Sequence, residues 1–232
     1  MKTQEIIKKL HEMANPENVE GMARFGINPE NNLGIRVTDL RKLVKNIGKN
    51  HQQAQELWET QIHDARMLAA HIDEPEKVTI QQMETWAKDF DSWDIVDNCC
   101  GHLFDKTKHK HKIILKWSSR PETYVKRAAF SLIAWSAVHD KKKDDKIFEE
   151  YLKIIKREST DERNYVKKAV NWALRSIGKR NWDMNKKAKK ISEEILKINN
   201  RTARWIAQDA LRELNSEKIK EKLDRIQSKQ NP

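Results

Sequence analysis

The sequence predicts an all-α protein, folded as an α-solenoid or superhelix of HEAT-like (armadillo-like) helical repeats. Only six Gly and five Pro occur in 232 residues, too few for a fold rich in tight turns. Apolar residues recur at helical spacing almost throughout, and no strand-like alternation competes. Ala-rich stretches recur at an interval near 40 residues, which is typical of stacked helical repeats with a concave inner face.

Three helices are predicted in the first 50 residues. A stripe of apolar residues follows Thr3, which we interpret as the N-cap of the first helix. Pro16 suits the first turn of a second helix. Residues 26–37 contain two Gly, one Pro and three Asn and predict a loop. Thr38 is the predicted N-cap of the third helix, and Gly48 its C-terminal stop.

The remainder of the chain predicts helices joined by short connections. Their predicted bounds are 51–59, 63–72, 79–88, 92–104, 110–117, 121–138, 144–157, 161–177, 185–198, 201–214 and 216–227, about a dozen helices in all. Two lysine-rich segments, 106–112 and 140–146, are interpreted as linkers. We expect a single domain over 1–232, with N-terminal helices in 1–50, repeats in 51–215, and a C-terminal helix and tail in 216–232.

Internal similarity supports the repeat interpretation. The stretch Tyr124–Ala129 recurs as Tyr165–Val170, 41 residues later. Ala173–Arg175 recurs as Ala210–Arg212, 37 residues later, and residues 64–70 are a weaker relative. The second helix of each repeat usually lines the concave side, and this predicts a basic concave face. The helices in question carry Arg66, Arg127, Lys168, Arg175 and Arg204.

The positive charge is concentrated in the C-terminal half. The formal net charge is +11. Residues 1–119 hold 17 Lys and Arg against 18 Asp and Glu, a net of −1, whereas residues 120–232 hold 29 against 17, a net of +12. A polyanion such as nucleic acid is therefore expected to lie against the C-terminal half. The alternative interpretation is a helical surface covered with solvated lysines.

Other function classes lack their sequence signals. Cys99 and Cys100 are adjacent, which prevents an ordinary disulfide between them and indicates an intracellular protein. No apolar run reaches about 18 residues, so we expect a soluble cytoplasmic protein without a membrane partner. Neither nucleotide-binding glycine motif occurs, and no Cys-x-x-Cys pair of the kind that binds zinc exists. We therefore expect neither a metal nor another cofactor.

One acidic and aromatic stretch, residues 90–97, contains three aspartates and a tryptophan in a chain whose net charge is +11. Ser92 is a plausible helix N-cap, and Asp94 then falls in the first turn, where the helix dipole favours an anion. Trp93 and Asp97 are four residues apart and share one helix face. The two aliphatic residues between Asp94 and Asp97 turn toward the core. A carboxylate would repel DNA phosphates, so its presence there predicts a chemical role.

Four stretches, taken in order, carry a resemblance that extends from about residue 22 to about residue 214. They are Met22–Phe25 with Leu33–Ile35, Ser92–Asp97, Tyr124–Ala129 and Val166–Arg175. In these stretches the sequence resembles the alkylpurine DNA glycosylases built from HEAT-like repeats, the AlkD type of DNA alkylation repair protein.

The resemblance implies roles for particular residues. In such enzymes the duplex lies on the concave face, and the sugar of the damaged nucleotide contacts two tryptophans and a carboxylate. By motif these are Trp93, Trp172 and Asp97. Arg127 matches an arginine that binds phosphate near the lesion and holds the carboxylate. Phe25 stands where the family pattern has a tyrosine, so one hydroxyl that contacts DNA is missing.

The function implied is that of a monofunctional DNA glycosylase, which releases cationic N3- or N7-alkylated purines from duplex DNA. It would act as a monomer and without a cofactor. The residues expected to contact DNA are Arg127, Phe25, Arg24, Lys168, Arg175 and Arg204. Two alternatives stay open: a non-catalytic HEAT-repeat protein that binds bent or branched DNA, and a solenoid whose basic face binds an acidic protein.

Overall fold

The computed structural model describes residues 1–229, and within that range the chain forms fourteen α-helices, one 3-10 helix and no β-strand. The 3-10 helix is Phe104–Lys106. The α-helices are α1 (Thr3–Glu12), α2 (Pro16–Arg24), α3 (Val37–Ile47), α4 (His51–Glu59), α5 (His63–Ile72), α6 (Ile80–Lys88), α7 (Trp93–His102), α8 (Lys110–Trp117), α9 (Thr123–His139), α10 (Lys146–Arg157), α11 (Asn164–Gly178), α12 (Trp182–Leu196), α13 (Arg201–Leu214) and α14 (Glu217–Ser228).

Most helix bounds agree with the sequence predictions to within two or three residues, but two predicted N-caps are wrong. The cap of α1 is Lys2, and the hydroxyl of Thr3 donates to the carboxylate of Glu56 in α4. The cap of α3 is Arg36, so Thr38 lies inside the helix. The hydroxyl of Thr3 is bonded to Glu56 of the neighbouring helix and so does not cap α1. In α3 the N-cap position is taken by Arg36, an extended residue two positions before Thr38. Gly48 ends α3 with φ 76°, as predicted.

Two further bounds differ. Helix α12 begins three residues before the predicted 185, because the side chain of Asn181 accepts a hydrogen bond from the backbone N–H of Met184 at 2.8 Å. The lysine-rich segment 106–112 is only partly a linker, since α8 begins at Lys110. The end of the predicted C-terminal tail, residues 230–232, lies outside the described residues. No helix within residues 1–229 combines the length and apolar character needed to cross a bilayer.

The chain divides into two compact units, which we call the N-terminal unit (Met1–His111) and the C-terminal unit (from Lys112 onward). The expectation of a single domain stays a prediction. In the N-terminal unit α5 is central: it packs against α3, α4 and α7, and nine of its ten residues are buried. Its small side chains, which include Ala65, Ala69 and Ala70, allow this close packing on several sides.

The C-terminal unit consists of two layers of helices. Helices α9, α11 and α13 lie side by side, and α10 and α12 pack in the other layer. Hydrogen bonds join residues 38 positions apart within each layer. Lys156 donates to Glu194 at 2.8 Å between α10 and α12, and Asn171 donates to Asp209 at 2.7 Å between α11 and α13. This spacing equals one helical repeat, so equivalent positions of successive repeats contact each other, and the predicted all-α HEAT-like repeat architecture is confirmed.

Candidate functional site

The first turn of α7 is fixed by Asp94. Ser92 occupies the predicted N-cap position, but its hydroxyl makes no capping bond and instead donates to Asp94 Oδ1 at 2.5 Å. The same oxygen accepts the backbone N–H of Ile95 at 2.9 Å. Asp94 therefore accepts a backbone N–H in the first turn of α7, a bond that the sequence predicted for the side chain of Ser92. The two aliphatic side chains that follow, Ile95 and Val96, are buried as expected.

Trp93 is held against the end of α2. Its indole N–H donates to the backbone carbonyl of Phe25 at 3.0 Å. Because the acceptor is a backbone atom, this contact does not depend on the side chain at position 25. The Phe25 side chain itself is 76 % exposed, next to the exposed Arg24. Asp97 lies one turn after Trp93 on α7 and is half-buried. The structure thus brings together Phe25 and Trp93, with Asp97 on the same helix as Trp93.

An apolar cavity of 650 Å³ opens beside the Trp93 indole. Its walls come from α2, from the loop that follows α2, from the start of α3, from α5 and from the start of α7. Among the lining residues are Met22, Phe25, Ile35, Met67, Trp93 and Asp94. The cavity places apolar surface around one of the two tryptophans that the resemblance assigns to the damaged nucleotide.

A buried histidine–aspartate contact joins α5 to α7, and it is an ion pair when His63 is protonated. His63 Nε2 lies 3.0 Å from Asp94 Oδ2, and the side chains are 3 % and 12 % exposed. Burial alone would lower the pKa of His63, but the hydrogen bond and charge of Asp94 outweigh it and raise that pKa above its usual 6.5. Burial likewise opposes the charge on Asp94, yet the bonds from His63, Ser92 and Ile95 keep the pKa of Asp94 below 3.8.

The next residue on α5 holds the loop that follows α2. Asp64 accepts the backbone N–H groups of Leu33 at 2.7 Å and Ile35 at 3.0 Å. Burial raises the pKa of Asp64 in spite of these bonds. His63 adds a backbone bond from its own N–H to the carbonyl of Asn31 at 2.9 Å. The first turn of α5 therefore positions both the loop beside the cavity and the start of α7.

Sequence reasoning missed His63 and Asp64 as positioning residues. In the sequence, residues 64–70 indicate only a weak repeat, and His63 and Asp64 carry no motif of their own. The signal that could have identified them is their position: two ionisable residues begin the Ala-rich helix α5. Ionisable residues in a helix of that composition indicate a buried charge that needs a partner.

Arg66 does not contribute to a basic face, so that prediction is wrong. Its side chain is buried, forms an ion pair with Asp89 at 3.5 Å, and lies 5.2 Å from the ring centroid of Trp58. The guanidinium also bonds the backbone carbonyls of Trp58 and Asp89, each at 3.4 Å. The aspartate and the indole face that surround Arg66 account for its burial.

Arg127 in α9 is 6 % exposed, and its guanidinium donates to the backbone carbonyl of Tyr165 at 2.8 Å. It therefore links α9 to α11. Phosphate binding by Arg127 stays a prediction.

The candidate residues on α11 share one face but differ in their surroundings. Lys168, Trp172 and Arg175 follow at intervals of four and three residues. Lys168 is exposed, and Trp172 is half-buried, with its ring edge-on to Trp135 at 5.7 Å. Arg175 donates to Glu213 at 2.5 Å, so a phosphate would have to compete with that carboxylate.

Other candidates lie on exposed positions. Arg204 of α13 is exposed, as Arg24 of α2 is. The charge follows the two units: residues 1–111 hold 15 Lys and Arg against 18 Asp and Glu, a net of −3, and residues 112–232 hold 31 against 17, a net of +14. In residues 1–229, no group of three His, Cys, Asp or Glu side chains is arranged as metal ligands.

Comparison with known proteins identifies the sequence family. A sequence model described as DNA alkylation repair enzyme matches residues 6–214. No curated protein sequence matches the chain.

Among solved structures, one protein aligns with a TM-score of 0.76 at 17 % identity, over 91 % of this chain and 95 % of its own. It is described as a member of a new family related to the HEAT-like repeat DNA glycosylases, with affinity for branched DNA structures. Two designed armadillo repeat proteins align with lower scores. One, solved with a (KR)4 peptide, has a TM-score of 0.38 at 16 % identity, over 90 % of this chain and 86 % of its own. The other has a TM-score of 0.37 at 18 % identity, over 86 % of this chain and 99 % of its own.

Proposed function

This chain belongs to the family of DNA alkylation repair enzymes, and we propose that it is a monofunctional DNA glycosylase. The substrate class is duplex DNA that contains N3- or N7-alkylated purines, and the reaction is hydrolysis of the N-glycosidic bond. Asp97 and Trp93 act in the N-terminal unit, and Trp172 acts in the C-terminal unit. Basic residues of the C-terminal unit, which carries a net charge of +14, bind the phosphates.

The chemistry requires a carboxylate and no general acid. Alkylation at N3 or N7 leaves the purine with a positive charge, so the base departs without being protonated. The sugar becomes cationic as the bond breaks. A carboxylate about 4 Å away stabilises that charge by about 4 kcal/mol at an effective dielectric constant of about 20, worth about three orders of magnitude in rate. Asp97 also orients the attacking water and accepts its proton.

The observation that carries the proposal is the fixed start of α7. The Trp93 indole is held by the carbonyl of Phe25, and Asp94 is held by His63 and Ser92. Asp97 therefore lies on a helix whose first turn is held by a contact with the end of α2 and by a contact with α5. Asp97 itself is half-buried. A preorganised carboxylate of this kind stabilises developing positive charge without reorganising during the reaction. An indole face adds about 0.5–2 kcal/mol.

The test is release of 7-methylguanine and 3-methyladenine from methylated duplex DNA, measured by mass spectrometry with chelator present. We expect Asp97→Asn to lower the rate by about 1000-fold while duplex affinity changes little. The matched control is Asp39→Asn, which changes charge equally on the surface of the same unit, where Asp39 pairs with Lys42. Full activity of Asp97→Asn would remove this residue from the mechanism.

The second candidate is a non-catalytic protein that binds branched DNA. It is supported by the structural relative with that affinity and by Phe25, which replaces the tyrosine of the family pattern. The purified wild-type protein, assayed for both base release and DNA binding, distinguishes the glycosylase from the branched-DNA binder. A wild-type protein that releases no base but binds a four-way junction more tightly than a linear duplex would favour the second candidate.

A further inference from the structure

An aromatic and basic surface lies on the exposed side of α13. Arg201, Arg204, Trp205 and Gln208 are all exposed and follow the i, i+3, i+4, i+7 spacing of a single helix face. We call these four residues the α13 outer face. Trp205 is 41 % exposed, although an indole of this size is usually highly buried in a folded protein. Its exposure among cations indicates a binding surface.

One lysine of the neighbouring helix α11 contacts this indole. Lys167 of α11 places its Nζ 5.6 Å from the centroid of the Trp205 ring. Lys167 is half-buried, and its neighbour in the sequence, Lys168, is exposed. Across the part of the chain that the structure describes, Arg201, Arg204 and Lys168 form no ion pair with a carboxylate. Their charges are therefore available to an anionic ligand.

The acidic residues farther along α13 are already engaged. Asp209 accepts a hydrogen bond from Asn171 at 2.7 Å and forms an ion pair with Arg212. Glu213 accepts bonds from Arg175 at 2.5 Å and from Lys179 at 2.7 Å. Because these carboxylates have cationic or amide partners, they do not cancel the charge of the α13 outer face.

We propose that the α13 outer face, together with Lys167 and Lys168, binds an unpaired stretch of DNA, with a base stacked on Trp205. An exposed indole flanked by unpaired cations matches a single strand, because its bases offer free π-faces and its phosphates face the cations. In intact duplex DNA the bases are stacked on one another and cannot reach the indole. Trp205 therefore distinguishes unpaired from paired DNA, while the cations bind both.

This inference is separate from the proposed glycosylase activity. It concerns a binding surface of the C-terminal unit, and it needs neither Asp97 nor base release. A protein without glycosylase activity can still bind single strands through Trp205, and an active glycosylase can lack this preference.

The test compares the affinity of the full chain for a fluorescein-labelled 20-mer of thymidine and for a 20-base-pair duplex, by fluorescence anisotropy at a series of salt concentrations. Trp205→Ala is expected to weaken single-strand binding by about 5- to 100-fold. Duplex affinity should stay within about twofold. Trp205→Phe should restore most of the loss, because a phenyl ring still stacks. Arg204→Ala should reduce the slope of log affinity against log salt by about 0.7 for the single strand.

Leu196→Ala is the matched control, because Leu196 is also an exposed apolar residue of the C-terminal unit, at 38 % exposure. It should change neither affinity. Thermal unfolding of each variant shows whether the fold is kept. Equal losses for single strand and duplex in Trp205→Ala, or no loss for either in a folded variant, would overturn the inference.

Discussion

The His63–Asp94 pair offers the sharpest test of how this site is built. We expect His63→Ala to destabilise the protein, because it leaves Asp94 buried without its cationic partner. Removing one member of a buried pair typically costs about 3–5 kcal/mol. Asp94 keeps its bonds to Ser92 and Ile95, which places the expected cost near the lower end, at about 3 kcal/mol. For a chain of this size that lowers Tm by about 6–12 °C.

The loss of stability in His63→Ala should depend on pH in a defined direction. The folded pKa of His63 is raised above 6.5, so its charged contribution is complete below pH 6.5 and disappears as the pH rises through the folded pKa. The folded pKa of Asp94 is lowered below 3.8, so its contribution is present above pH 3.8 and is lost as the pH falls through the folded value. The difference between wild type and His63→Ala should therefore be largest near pH 5.5 and smaller near pH 9.

Urea unfolding at both pH values measures this difference. His11→Ala is the control, since His11 is an exposed histidine of the same unit. The variant His63→Gln tests the charge separately, because it can keep a hydrogen bond without titrating. A loss below about 1 kcal/mol, or the same loss at both pH values, would refute the assigned ion pair. Because Asp94 fixes the first turn of α7, base release should also fall in His63→Ala at temperatures where the variant is folded.

Two further predictions concern Arg127 and the loop beside the cavity. If Arg127 binds a phosphate, Arg127→Ala should reduce the salt slope of duplex binding by about 1, as measured by anisotropy. If its role is structural, as the bond to the carbonyl of Tyr165 indicates, the free energy of unfolding should fall in Arg127→Ala while the salt slope stays unchanged. Gly34 has φ +72°, and a Cβ there would lie 2.3 Å from the Asn15 carbonyl oxygen, so Gly34→Ala should cost about 2 kcal/mol or more in thermal unfolding. Gly21→Ala is its control: Gly21 has open space and lies within α2, so the change should gain about 0.5–1 kcal/mol.

The helices and the repeat follow from local patterns. Apolar spacing predicted nearly every helix of the described chain, because burial on one helix face requires that period. The echo between Tyr124–Ala129 and Tyr165–Val170 predicted that α9 and α11 are equivalent elements, and the two tyrosine rings lie 5.6 Å apart. The motif residues Trp93 and Asp97 were also identified from the sequence. Their chemical roles stay predictions, because a role depends on the bound substrate.

The partners of the charged residues could not be predicted in the same way. Arg66 and Arg127 look alike in sequence to Lys168 and Arg204, since all lie on repeat helices. Arg66 and Arg127 are buried and bond backbone carbonyls or an aspartate, whereas Lys168 and Arg204 are exposed. The distinction depends on which helix packs against each side chain.

The sequence by itself determined the helical class, the repeat interval, the concentration of positive charge in the C-terminal half, and the acidic and aromatic stretch at residues 90–97. These depend on composition and on spacing along a single helix, which are local properties. Only the tertiary structure decided that His63 holds Asp94, that Asp64 holds the loop after α2, and that Trp93 bonds the carbonyl of Phe25. Those contacts join residues about 30 or more positions apart. Their formation depends on the packing of whole helices, which no local pattern records.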